Sequence, residues 1–234
     1  MNIAHRLRAY PGTFLLTVLT GFVVAGISLG SVPWGQVCVY LASVAAVLLA
    51  VRMFLGKGTP YRILASLALA ALALRLAGSM VPERGLDVAV GTVTVLFFGG
   101  FLLTVLRMAL GPGIVNQDRI MAAVAGYVLL GVCWAFLHSA VAVAMPGAFR
   151  VIVDAQEGNG GLLASAPWFP STYYSFSTLM TMGAGTIVPV THLTQAMAWM
   201  EAATGQIYLT VLVARLVALH VAAADRPPAG TPGA

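Results

Sequence analysis

Thr178-Leu179-Met180-Thr181-Met182-Gly183-Ala184-Gly185-Thr186-Ile187-Val188-Pro189 is the stretch on which the reading of this chain turns. Its two glycines, one residue apart, free the backbone to alternate ordinary and left-handed conformations that a Cβ resists. A strand that alternates in this way aims successive carbonyl oxygens to one side, and Thr181 adds a hydroxyl at one end of the row. Oxygens gathered around a narrow axis replace the hydration shell of a cation.

Alone, a G-x-G in an apolar chain is a weak signal, because glycine is common in membrane helices. The flanks give it meaning. Pro167 and Pro170 break the chain, a short helix is predicted from Ser171 to about Met180, and a long apolar span begins at about His192. Half-helix, irregular glycine segment and long helix is the order that a re-entrant loop requires. Non-helical backbone at membrane depth is tolerated only where it is buried or lines water.

The 234 residues are 60% hydrophobic and 8% charged, with a mean hydropathy of +0.94, which excludes an ordinary soluble domain. Apolar stretches at 13–30, 36–55, 62–81, 87–108, 118–145 and 192–223 each reach the ~18–20 residues that cross ~30 Å of hydrocarbon as a helix. The expected fold is an all-α membrane protein with six transmembrane helices plus a re-entrant helix and loop. Arg6, Arg8, Arg52, Lys57, Arg62, Arg107, Arg119 and Arg226 fall on one side of that topology, against Arg84 and Arg150 on the other. The positive-inside rule then places both termini in the cytoplasm of a multi-pass protein of the cell membrane. The net charge of +5 is mostly this bias, and no basic cluster outside the membrane flanks points to nucleic acid. The first span is longer than a signal-peptide core and is expected to be retained. Cys38 and Cys133 read as small core residues, with neither a disulfide nor a metal assigned to them.

From about residue 118 to 223 the chain resembles the pore domain of the tetrameric potassium-channel superfamily, in a prokaryotic six-span form. Where that family has T-V-G-Y-G-D, this sequence has Thr181, Met182, Gly183, Ala184, Gly185 and Thr186, a divergent T-M-G-A-G filter; Thr178 and Pro189 fit the extended pattern. The resemblance implies a homotetramer in a lipid bilayer. Its monovalent cation would bind the Thr181 hydroxyl and carbonyl and the carbonyls of Met182, Gly183 and Ala184, with Gly185 completing the filter. K+ is the expected permeant ion and Na+ the alternative, with no cofactor. The family's filter aromatic is replaced by Ala184, so Tyr173 and Tyr174 on the preceding helix have nothing to grip there. Thr186 stands where a carboxylate ring would concentrate cations, a role left to Asp154 and Glu157.

Glu201 is the acidic residue deepest in a span, and three roles are open to it: lining a cavity, bracing the filter, or pairing with a base on a neighbouring helix. Gly205 is read as a bend or a packing contact, and Arg215 as a snorkelling anchor or gating partner. Lone Arg75 is expected to pair with a carbonyl or a carboxylate inside the bundle, Asp87 and Glu201 being the candidates, and lone basic residues in the third and fourth spans exclude a conventional voltage sensor. Asn116 and Asp118 are candidate caps of the fifth span. The glycines after Pro146 predict a mobile outer loop, and His138 and His192 read as polar interface residues. The expected organisation is a four-helix bundle at 1–110, a pore domain at 111–223, and a disordered cytoplasmic tail at 224–234, with no soluble regulatory domain. No catalytic triad, metal cluster or phosphate loop is visible, so the expected function is a channel and not an enzyme. The alternatives are a non-selective cation channel, or a non-conducting homologue that assembles with other channel subunits.

Overall fold

In hydrocarbon the backbone amides of an apolar segment have only one another as partners, and a helix satisfies them within a single segment. The computed structural model describes residues 11–29, 45, 49, 52, 58–80, 84–111, 117–153, 156–158, 168–183 and 185–224. These are mostly helical: α1 (Pro11–Leu29), α2 (Thr59–Met80), α3 (Arg84–Leu110), α4 (Gln117–Ala144), α5 (Trp168–Leu179) and α6 (His192–Ala224), with strands β1 (Phe149–Val153), β2 (Gln156–Gly158) and β3 (Ile187–Pro189). Most of the expected 36–55 span, together with Cys38, Asn116, Asp154, Ala184 and 225–234, lies outside the described residues.

Three of these helices are long and apolar enough to cross a membrane, over Thr59–Gly78, Arg84–Arg107 and Gln117–Ala144. The apolar stretch of α1, Gly12–Val24, is shorter. Helix α6 is the longest, with 33 residues; Glu201, Gln206 and Arg215 dilute its apolar character. Leu69, Leu76, Leu96 and Leu103 point outward from α2 and α3, the arrangement that suits a hydrocarbon surround.

One apolar core joins α1 to α4. Leu15 and Leu19, Leu64 and Ala68, Phe97, Phe101 and Val105, and Ala125, Leu129 and Val132 supply it, at the three- and four-residue spacings that stack side chains on one helical face. Phe98 stacks on Phe136 at 4.8 Å and lies 6.4 Å from Phe22. At one end of this bundle Asp118 Oδ1 accepts the N–H groups of Gly12 at 2.9 Å and Thr13 at 3.1 Å. The carboxylate expected to cap its own helix therefore caps α1, where a negative charge complements the exposed N–H groups of the first turn. At the other end Arg84 donates to Val143 O at 3.2 Å and Ala144 O at 2.6 Å, closing the C-terminus of α4.

The expected mobile loop after Pro146 contains an antiparallel three-stranded sheet of order β2-β1-β3. Phe149, Arg150 and Val151 pair with Pro189, Val188 and Ile187. Ile152 N–H donates to Thr186 O at 2.8 Å, and Val190 N–H to Ala148 O at 3.0 Å. Alternation along β1 buries Phe149 and Val151 against Ala142, Tyr174 and Ile187. Non-local strand pairing does not follow from local composition, so the glycines gave no sign of this sheet; residues 159–167, with Gly160 and Gly161, lie outside the described residues.

Candidate functional site

Helix α5 is rich in Ser and Thr, and it ends in a defined turn. Thr181 N–H donates to Thr178 O at 2.9 Å, and Met182 N–H to Ser177 O at 2.8 Å, with Gly183 N–H on the same oxygen at 3.2 Å. This is a Schellman ending with Thr181 as the left-handed residue. Thr181 has φ 57° and Gly183 φ 76°. Gly183 takes the left-handed backbone that its missing Cβ permits. Thr181, a β-branched residue, is a true outlier held by three hydrogen bonds, and its hydroxyl donates to Met180 O at 2.7 Å. The segment then emerges from the packed helices. Thr181, Gly183 and Gly185 are exposed, and Met182 is 76% exposed.

Behind this turn the fold is tight. Leu179 is fully buried, and its carbonyl accepts the Tyr127 hydroxyl at 3.4 Å. Helix α6 passes against the same carbonyl at Gly205, where a Cβ would come within 2.5 Å of Leu179 O and 2.9 Å of Leu179 Cδ1. Close packing is thus the physical requirement at Gly205. The Tyr208 hydroxyl donates to Ala123 O, tying α6 to α4. Gly131 gives way to the Phe176 ring, whose atoms would lie 2.8 Å from an added Cβ.

Glu201 lines no open cavity; of its three expected roles, the structure shows the pairing with a base on a neighbouring helix. It is 0% exposed, as is His138, and their side chains meet at 2.8 Å between His138 Nε2 and Glu201 Oε2. Glu201 Oε1 contacts Ser175 Oγ, which also donates to Gly131 O at 2.8 Å. Three helices, α4, α5 and α6, thus converge on one carboxyl. His138, expected at an interface, is walled in by Trp134, Phe149 and Tyr174 at ring distances of 5.7, 5.6 and 4.9 Å. Sequence reading missed His138 and Ser175 as partners of Glu201. A buried acid implies some partner, but only the fold selects which.

Tyr174 packs inward, on His138 and on Phe149 at 5.4 Å, so its ring braces the sheet; Tyr173 is about half exposed and Thr178 half-buried. Arg215 donates to Gly111 O at 2.6 Å, and Arg119 shares that carbonyl at 3.0 Å. Helix α6 is thereby anchored to the corner that follows α3. His192 is exposed at the start of α6, and Cys133 is a free thiol beside the main core. The chemistry this arrangement supports is positional: an exposed run of backbone held from behind by buried hydrogen bonds.

Among known families, residues 147–221 match a family model described as an ion channel. Among curated proteins and solved structures nothing matches the chain.

Proposed function

We propose, from the premise that residues 147–221 form an ion-channel domain, that four copies of this chain assemble a channel passing monovalent cations, K+ first among them. In this reading α5 is a re-entrant pore helix and α6 lines the pore. Thr181, Met182, Gly183, Ala184 and Gly185 give the ion its oxygens, and residues 1–110 form a surrounding bundle without a voltage sensor. Both termini are cytoplasmic. The observation that carries the reading is the exposed, partly left-handed segment Met180–Gly183, set between a short buried helix and the long α6. A single chain would leave that segment, and the outward apolar residues Trp199, Ile207 and Val211 of α6, without the surroundings that their chemistry calls for. Neighbouring copies supply those surroundings, because one such strand cannot encircle an ion.

A second reading, a channel that does not distinguish Na+ from K+, is favoured by the inward packing of Tyr174. That ring is already engaged, so it is not available to hold the filter strand at its radius. Purified protein in liposomes under exchanged Na+ and K+ gradients separates the two. Selective K+ flux is expected, and Ala184→Tyr should raise the K+ preference by adding a side chain that can pack outward. Native, folded protein that passes neither ion sinks the channel reading; equal flux of both ions selects the second one.

A further inference from the structure

The hydrogen bonds around Glu201 can be counted, and the count does not close for a bare carboxylate. Ser175 has one hydroxyl hydrogen and two neighbours. Gly131 O can only accept, so it takes that hydrogen, and the contact between Ser175 Oγ and Glu201 Oε1 then lacks one. On the other side, His138 Nδ1 is buried with no partner among the described residues. A doubly protonated ring would bury a charged N–H there, facing Trp134, Phe149 and Tyr174. A neutral ring carrying its hydrogen on Nε2 leaves only a lone pair unmatched, the milder of the two defects.

One assignment uses every hydrogen once. We infer that Glu201 is an uncharged carboxylic acid in a one-way chain, in which His138 Nε2–H donates to Glu201 Oε2, Glu201 Oε1–H donates to Ser175 Oγ, and Ser175 Oγ–H donates to Gly131 O. No proton is transferred; the chain is static and polar, and it runs from α6 through α5 to α4. Glu201 is a positioning residue. Ser175 stands two residues before Ser177, the carbonyl that fixes Met182 and Gly183, so the chain sets the depth of α5 and with it the exposed segment. Only this last consequence, that the acid positions an ion path, rests on the channel reading.

The test is infrared spectroscopy of the full-length protein in nanodiscs, with K+ flux measured on the same preparations. Native minus Glu201→Gln spectra should show the carbonyl stretch of one protonated carboxylic acid. Ser175→Ala, which removes the acceptor of that acid hydrogen, should move the band to higher frequency. Gln keeps an acceptor oxygen for His138 and an N–H for Ser175, so Glu201→Gln should retain flux, whereas Glu201→Ala should lower it about tenfold by removing the carboxyl that links His138 to Ser175. A difference spectrum showing only lost carboxylate bands overturns the proposal. If Glu201→Gln does not fold, a native spectrum in which Ser175→Ala shifts no acid band overturns it equally. An acid band in protein that conducts nothing leaves the proton where we place it and sinks the channel reading instead.

Discussion

Gly205 and Thr181 show at the residue scale how close the tolerances are around the exposed segment. An added methyl at Gly205 meets a backbone oxygen, which cannot swing aside as a side-chain tip would. Gly205→Ala is therefore expected to destabilise the fold by about 1–3 kcal/mol through overpacking, read as a fall in the thermal unfolding midpoint in detergent. Unchanged stability would mean that α6 and the end of α5 do not touch there. The glycine was legible in the sequence as a bend or a contact, and the position of Leu179 O decides for a contact. Thr181 was legible as a hydroxyl bearer. Its left-handed backbone was not, because sequence preference reserves that conformation for glycine and only the Schellman hydrogen bonds impose it on threonine.

At the scale of elements, the sheet β2-β1-β3 is what anchors the chain on the far side of the exposed segment. Ile152 N–H holds Thr186 O at 2.8 Å, and Val190 N–H holds Ala148 O at 3.0 Å. Ile152→Pro removes the first of these donors and puts a proline into a paired strand. Faster amide hydrogen exchange is expected at Ile187, Val188 and Val190, with protection of Leu129 and Val132 in the helical core unchanged; equal protection in the two proteins would show that the sheet does not hold this segment. The described helices begin and end within three residues of the expected spans, because apolar length sets them locally. The sheet was invisible in the sequence, since its register depends on α4 and α6 bringing residues 149–151 and 187–189 side by side.

For the whole molecule, assembly decides what surrounds the exposed segment. Met182 is 76% exposed on the chain alone, an unusual position for an apolar side chain next to a constrained turn. If four copies close around an axis, Met182→Cys brings equivalent thiols close together, and mild oxidation in membranes should give disulfide-linked dimers. A Leu96→Cys control, on the outward face of α3, should remain monomeric on denaturing gels. Equal crosslinking at both positions, or none at either, would count against a shared axis. The sequence by itself determined that this is a helical membrane protein with a glycine-containing break ahead of its last long helix, because hydropathy and backbone freedom are local properties of the chain. Only the tertiary structure decided that Glu201 meets His138 and Ser175, that Asp118 caps α1, and that Tyr174 braces a sheet. Each of those pairings joins residues far apart in sequence, and packing geometry, which no single segment encodes, selects them.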